Sequence, residues 1–305
     1  MLALCLTWHA AIQSKDKEEN AMKNSKIMIV VGKDAPASEL AQTLETVRAI
    51  PARVSILVAG EMPVFPFYAI GVPPYGLTDV PPNWQEDLTE HKAALEAKVN
   101  EIEAMLERHG VAGEVATVAS DPAMVATAIA QRALYCDVAL VSDDLRQSSN
   151  LFKQVLHGVL FRSPIGVLLN DRDATAFGAA KRVFVAWNTQ LHSARAVHQA
   201  LPILQQAEEV IVATIDPVMP DVTHGEDPGV DIATWLSHHG CNVVVQQYPS
   251  DGLEIGDAIL ARAKEVGADL VIMGAYGHSR TREALFGGTT RSLIAQTEQP
   301  VFLVY

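Results

Sequence analysis

The chain is short of cysteine and of long apolar runs, and each shortage removes a class of protein. Only three cysteines occur in 305 residues. Cys5, Cys136 and Cys241 are too widely spaced for a metal motif, and their odd number does not make a set of disulfides. This usage is typical of a reducing compartment, so we expect a cytoplasmic protein. No apolar run is long enough to cross a bilayer, so no membrane association is expected.

Basic residues are also scarce. Lys and Arg together number 23 against 36 Asp and Glu, which gives a formal net charge of −13. Nucleic acids and anionic membranes are bound through a basic surface, so neither is an expected partner. A bound anion would have to be held by backbone N–H groups and a few local cations.

The strongest organisational signal is an internal duplication of apolar strands that alternate with helical patterns. In the first copy the predicted strands are Lys26–Gly32, Val54–Ala59, Glu114–Val118, Asp137–Val141 and Pro164–Leu169. In the second copy they are Lys181–Trp187, Val210–Ile215, Asn242–Gln247, Asp269–Met273 and Pro300–Tyr305. Such alternation indicates parallel βαβ units.

We therefore predict an α/β fold of two tandem doubly wound domains, each with a five-stranded, mainly parallel sheet of the flavodoxin-like class. The predicted organisation is a disordered extension at 1–24, a first domain at 25–170, a linker at 171–180 and a second domain at 181–305. The linker is placed where the sequence becomes polar and contains glycine.

A glycine-rich segment follows the fourth strand of the second copy. Gly274 and Gly277 come directly after the strand, and Gly287 and Gly288 come directly before a helical pattern. Glycines let backbone N–H groups approach an anion closely, and a helix N-terminus adds donors and the positive end of its dipole. The segment predicts a phosphate cradle, and a simple tight turn is the alternative.

This glycine spacing resembles the nucleotide-binding motif of the universal stress protein family. The resemblance covers about 181–305 well and the first copy more weakly. It implies an adenine nucleotide alpha hydrolase-like fold and a site for ATP, bound with or without Mg²⁺. One departure is Gly288, because the family usually has Ser or Thr directly after the last glycine; Thr289 or Thr290 would then supply the hydroxyl.

The resemblance places the nucleotide across the carboxyl ends of the first and fourth strands of the second copy. Asn188 stands where the family commonly has an Asp near the phosphates and their metal, and an amide is a weaker magnesium ligand; a helix cap or turn is the alternative. Thr214 and Met273 are similar in position to residues near the adenine, with a core role as the alternative. The nucleotide-binding residues that the resemblance implies are Ala186, Trp187, Asn188, Thr214, Met273, Gly274, Gly277, His278, Gly287, Gly288, Thr289 and Thr290.

The first copy lacks the glycine motif. Counted from the Asp that opens each fourth strand, Ser142 replaces Gly274 and Leu145 replaces Gly277. Asp143 and Asp144 stand in the same loop and would repel phosphate. We therefore expect the first copy to have lost the nucleotide site.

The resemblance implies an ATP-binding regulator or sensor of the stress response, with no catalytic residues and no metal site of its own. A slow ATPase is one alternative, although no evident base or full set of metal carboxylates accompanies the glycines. A nucleotide-free interaction scaffold is the other, using the proline- and aromatic-rich segment at 62–84. Because the family's final strands commonly pair at interfaces, the resemblance also implies a homodimer or an intramolecular pseudo-dimer of the two domains.

Overall fold

A computed structural model describes residues 25–63, 82–121, 124–217, 229–275 and 287–305. The predicted extension at 1–24, most of the segment at 62–84, and the predicted site residues Gly277 and His278 lie outside the described residues. Among those described, no helix combines the length and the apolar character that a membrane crossing requires.

The described strands are β1 (Lys26–Gly32), β2 (Arg53–Glu61), β3 (Gly113–Ser120), β4 (Val138–Val141), β5 (Gly166–Leu169), β6 (Arg182–Ala186), β7 (Glu209–Ile215), β8 (Val243–Tyr248), β9 (Leu270–Gly274) and β10 (Val301–Val304). They form one ten-stranded sheet in the order β3-β2-β1-β4-β5-β10-β9-β6-β7-β8. We call β1–β5 with their helices the first half and β6–β10 with theirs the second half. The predicted fold class is confirmed, and the two predicted sheets are joined edge to edge.

Helices cover both faces of this sheet, as the near-continuous apolar strands require. They are α1 (Ala37–Arg48), α2 (Pro82–His109), α3 (Val125–Ala133), α4 (Ser149–Arg162), α5 (Thr175–Ala179), α6 (Leu191–Gln206), α7 (Val230–His238), α8 (Ile255–Glu265) and α9 (Gly288–Ala295). One core layer lies under α1, α2, α6 and α7, and the other lies under α3, α4, α8 and α9. Each layer runs through both halves.

Every pair of neighbouring strands is parallel except β5 and β10, which are antiparallel. In this pair Val301 faces Leu169 and Leu303 faces Val167. We call this antiparallel pairing of β5 with β10 the joint between the halves. It places the two halves in an approximately two-fold arrangement within one chain.

The duplication also extends to a detail at the start of each half. The Asp137 carboxylate accepts a hydrogen bond from the Lys26 N–H at 2.7 Å. The Asp269 carboxylate accepts from the N–H groups of Lys181 and Arg182 at 2.8 and 2.9 Å. The same side chain thus fixes the first strand against the fourth in both halves.

The segment predicted as a linker holds a short helix, α5. The Asp171 carboxylate accepts from the N–H groups of Ala176 and Phe177 at 3.0 and 2.9 Å, which satisfies donors in its first turn. Phe177 is buried, and the Thr46 hydroxyl of α1 donates to the Asp173 carbonyl at 2.7 Å. The connection between the halves is therefore packed against the first half.

Candidate functional site

A cavity of about 460 Å³ opens at the carboxyl ends of β6 and β9. These neighbouring strands lead to crossovers on opposite sides, which is where open α/β sheets place ligands. The predicted residues that line it are Ala186, Trp187, Asn188, Met273, Gly274, Thr289 and Thr290. The structure thus brings most of the described predicted residues to one place.

The register of the strands explains which side chains reach the cavity. Ala186 on β6 is paired with Ala213 on β7 and with Met273 on β9, so these three side chains lie on the same face of the sheet. Side chains alternate along a strand, which puts Thr214 on the opposite face. Thr214 is only 4% exposed and does not line the cavity. Its predicted place beside the ligand is taken by Ala213 and Ile215.

An apolar wall of the cavity escaped the sequence analysis. Ile255 and Ile259 stand one turn apart at the start of α8 and line the cavity together with Ile215. The i, i+4 spacing of the two isoleucines was visible in the sequence. Their direction was not, because it depends on where α8 packs. Ile255 is 39% exposed, so part of this apolar wall is open to solvent.

Gly274 is required by close packing. A Cβ at Gly274 would lie 2.4 Å from the carbonyl carbon of His192 and 2.5 Å from the Ser193 nitrogen. These are backbone atoms at the start of α6, which cannot move without displacing the helix. The absence of a side chain thus lets the N-terminus of α6 come against the end of β9.

The N-terminus of α9 forms another side of the cavity. The Arg291 N–H donates to the Gly287 carbonyl at 2.9 Å. The N–H groups of the first turn of a helix point beyond its end, and Thr289 and Thr290 of this turn line the cavity. Among the described residues, no atom lies within 4 Å of a Cβ built at Gly288.

Asn188 is exposed and has a local role in the turn before α6. Its Oδ1 accepts from the Ser193 hydroxyl at 2.6 Å and from the Gln190 N–H at 3.3 Å. Side chains of Asn commonly stabilise such turns. These contacts fit the alternative role of Asn188 as a turn former. The side-chain oxygen of Asn188 already accepts two hydrogen bonds.

None of the described residues that line the cavity is Asp, Glu, Lys or Arg, and His192 is the one with a titratable side chain. The His192 ring stacks on the Tyr305 ring with 4.9 Å between centroids. The described residues hold no group of His, Cys, Asp or Glu arranged to bind a metal ion.

The corresponding place in the first half has a different chemistry. A smaller cavity of about 180 Å³ lies there, and three of its lining residues are the acids Asp34, Glu61 and Asp144. The Asp144 carboxylate accepts from the Gly32 N–H at 2.8 Å. It thus occupies a backbone donor at the end of β1. Burial raises the pKa of the Asp144 carboxyl above its ordinary value, although the Ser142 and Gly32 hydrogen bonds act to lower it.

Comparison with known proteins gives a family-model match over the C-terminal part of the chain and a similar fold over nearly all of it. Residues 243–305 match the family model described as the universal stress protein family. No curated protein sequence matches the chain. A universal stress protein from Archaeoglobus fulgidus DSM 4304 has a similar structure, with 16% identity, a TM-score of 0.63, and coverage of 93% of this chain and 97% of that one. A functionally unknown protein from Pseudomonas aeruginosa PAO1 has 14% identity and a TM-score of 0.52, with coverage of 95% and 94%.

The matched segment at 243–305 contains β8, α8, β9, α9 and β10. It therefore includes both described ends of the glycine segment, and Ile255 and Ile259 of the cavity lining. Residues 243–305 thus match the universal stress protein family model, and the fold of nearly the whole chain is similar to that of the universal stress protein from Archaeoglobus fulgidus DSM 4304.

Proposed function

We propose that the second half binds ATP or a related adenine nucleotide, and that the protein acts as a regulator or sensor in a stress response. One observation carries this proposal: a cavity with apolar walls ends at the N-terminus of α9 and has no acidic residue among its described lining. Small-molecule sites have volumes of roughly 300–1,000 Å³, and this cavity falls within that range.

The lining of the cavity offers contacts for both the base and the phosphates of a nucleotide. Ile215, Ile255 and Ile259 offer apolar contacts to a flat base. Backbone N–H groups and the dipole at the start of α9 favour the phosphates. Thr289 and Thr290 add hydroxyl groups at the same place.

Binding is a better description than turnover. Phosphoryl transfer needs a group that positions the nucleophile and carboxylates that hold a metal. The described lining offers neither, because His192 is its one titratable side chain. The slow ATPase is therefore the weaker hypothesis.

We also propose that β5 and β10 make within one chain the strand pairing that separate copies of a one-domain protein would make between chains. The antiparallel register of Val301 with Leu169 supports this proposal. Sedimentation equilibrium of the purified protein tests it, with a mass of one chain expected. A dimer that persists to nanomolar concentration would contradict it.

The first experiment is to denature freshly purified protein and identify the released small molecules by mass spectrometry. An adenine nucleotide at about one per chain is expected. If none is released, the protein is titrated with ATP, with and without Mg²⁺, by calorimetry. An absence of release together with an absence of binding would reject the proposal in favour of the interaction scaffold.

Gly288 offers a matched pair of variants because a side chain there would meet none of the described atoms within 4 Å. In Gly288→Asp the carboxylate stabilises the helix N-terminus but repels phosphate, so we expect unchanged or higher thermal stability and a loss of ATP affinity of at least about tenfold. Gly288→Ser adds a neutral hydroxyl and should bind ATP as well as the wild type or better. Equal affinity in both variants would place the phosphates elsewhere.

A further inference from the structure

The first half reaches across the sheet joint and holds the end of α9. After β4, residues Asp143–Gln147 form a 3₁₀ turn in the loop that corresponds to the glycine segment of the second half. Arg146 in this turn donates from Nη1 to the Ile294 carbonyl at 2.7 Å and from Nη2 to the Gln296 carbonyl at 3.4 Å. These carbonyls belong to the last turn of α9 and to its C-cap.

Arg146 is itself held from three sides. Its Nε donates to the Asp143 carboxylate at 3.2 Å, and its Nη2 donates to Asn170 Oδ1 at 2.6 Å. The guanidinium carbon lies 4.5 Å from the centre of the Phe152 ring. The Arg146 side chain is only 19% exposed. The planar group is thus fixed in orientation before it contacts α9.

The same small region contains a second link between the halves. Asn170, 6% exposed and with a positive φ of 61°, donates from Nδ2 to the Gln299 carbonyl at 3.1 Å. Gln299 Nε2 in turn donates to the Ala268 carbonyl at 3.0 Å, just before β9. One network of hydrogen bonds, made by Arg146, Asn170 and Gln299, therefore connects the end of α9 with the residues just before β9.

A helix as short as α9 depends on contacts at its ends. It has eight residues, and an isolated helix of this length is not stable in water. Its last carbonyls have no intrahelical partner, and a cation at a helix C-terminus interacts favourably with the dipole. Arg146 supplies both a donor and a charge. The other end of the helix, about 12 Å away at 1.5 Å per residue, is the proposed phosphate cradle.

We propose that Arg146 is a positioning residue for the nucleotide site of the other half. The loop after β4, which lacks the glycine motif, thus holds α9, the helix whose N-terminus is the proposed phosphate cradle. Because α9 is short, a shift at its C-terminus moves its N-terminal N–H groups relative to β6 and β9. This inference rests on the proposed nucleotide site for its functional consequence, but the support of α9 by Arg146 can be tested without nucleotide.

The central variant is Arg146→Ala, and Arg172→Ala is its matched control. Arg172 donates from Nε to the same Asp143 carboxylate at 3.0 Å, but its side chain is 61% exposed and none of the described contacts joins it to α9. Both variants remove one positive charge that contacts the Asp143 carboxylate. Arg146→Lys keeps the charge and loses the planar fork, so it is expected to lie between the wild type and Arg146→Ala.

Two measurements are made on each variant. Calorimetry gives the dissociation constants for ATP and for adenosine, and hydrogen exchange of the nucleotide-free protein reports on the segment at 287–296. In Arg146→Ala we expect faster exchange in α9, a Kd for ATP raised by about 3- to 30-fold, and a Kd for adenosine within about twofold of wild type. Arg172→Ala should leave all three quantities unchanged.

The outcomes separate this inference from the proposed function. Unchanged exchange of α9 in Arg146→Ala would overturn the inference, and so would equal losses of ATP and adenosine affinity, which indicate general destabilisation. If the wild type binds no adenine nucleotide, the proposed function fails. In that case faster exchange confined to α9 would still support its positioning by Arg146. If Arg146→Ala does not fold, Arg146→Lys is measured in the same way, and an ATP-selective loss is again required.

Discussion

The ring of Phe302 on β10 covers Gly166 on β5. A Cβ at Gly166 would lie 2.3 Å from Cζ and 2.7 Å from Cε2 of Phe302. Phe302 is 2% exposed, and β5 and β10 form the antiparallel joint between the halves. The absence of a side chain at Gly166 therefore makes room for the largest residue of the joint.

Gly166→Ala should weaken this joint. The added methyl group overlaps a buried ring, and such overpacking costs about 1–3 kcal/mol. Unfolding in urea measures the loss. In the background of Phe302→Leu, the same Gly166→Ala change should cost less, because the ring that it displaces is gone. A cost that is equal in both backgrounds would show that Phe302 is not the obstacle.

Gly274→Ala should also destabilise the protein, for a different reason. The obstacle is the backbone of α6 at His192 and Ser193, so we expect a loss of about 1–3 kcal/mol in the free energy of unfolding. Gly288→Ala is the control, because its methyl group would meet none of the atoms that the structure describes, and it should stay within about 0.5 kcal/mol of wild type. Equal stability of the two variants would contradict the packing role of Gly274.

Asp144→Asn should change how stability depends on pH. Burial raises the pKa of the Asp144 carboxyl in the folded protein above its ordinary value of 3.8. Between the unfolded and the folded pKa, the folded state binds more protons, so the wild type loses stability as the pH rises through this window. The Asn variant keeps an oxygen to accept from the Gly32 N–H but has no charge to bury.

The free energy of unfolding of both proteins is therefore measured in urea from about pH 3.5 to pH 8. The stability of Asp144→Asn relative to wild type should increase as the pH rises above 3.8 and then level off once the folded carboxyl has ionised. Other titrating groups common to both proteins cancel in this difference. A difference that is independent of pH would show that the carboxyl is not ionising in a buried place.

Asn188→Asp should make ATP binding depend more strongly on magnesium. The Asn188 oxygen is occupied by the Ser193 hydroxyl and the Gln190 N–H, and carboxylate oxygens are better magnesium ligands than amides. For the wild type we expect the Kd for ATP to differ by less than about threefold between Mg²⁺ and EDTA. In the variant this ratio should rise about tenfold, since a carboxylate without metal repels the phosphates.

Asn188→Ala separates this effect from the turn. It removes the acceptor for Ser193 and Gln190 without adding charge, so it should weaken binding equally with and without Mg²⁺. If Asn188→Asp shows the same behaviour as Asn188→Ala, then residue 188 lies too far from the phosphates to influence a metal.

Much of this fold could be predicted because most of its strands are buried on both faces. Runs such as the one at 27–31 are apolar throughout, and glycine, proline or charge marks their ends. The end of α7 at His238 has a local signal of the same kind, because Gly240 follows it and adopts a φ of 83°. Elements whose apolar runs and ends are marked by neighbouring residues could therefore be predicted from the sequence alone.

The remaining features depend on contacts between distant segments. Alternation along β7 was visible, but which face holds the cavity depends on the packing of α8. Thr214 therefore lies in the core, as its alternative role predicted, and Ile259 was missed. The edge pairing of β5 with β10 and the reach of Arg146 to Ile294 join residues more than a hundred positions apart. No local pattern predicts such pairs.

The unequal halves have a genetic consequence. In a symmetric dimer every substitution appears twice, so a residue that supports one site also alters the other. Here Asp144 can occupy the Gly32 N–H while Gly274 keeps the end of β9 bare. In a single chain with two halves, a substitution alters one half and leaves the other unchanged. Residues that support a site from the first half can therefore be substituted without any change in the residues that line the site in the second half.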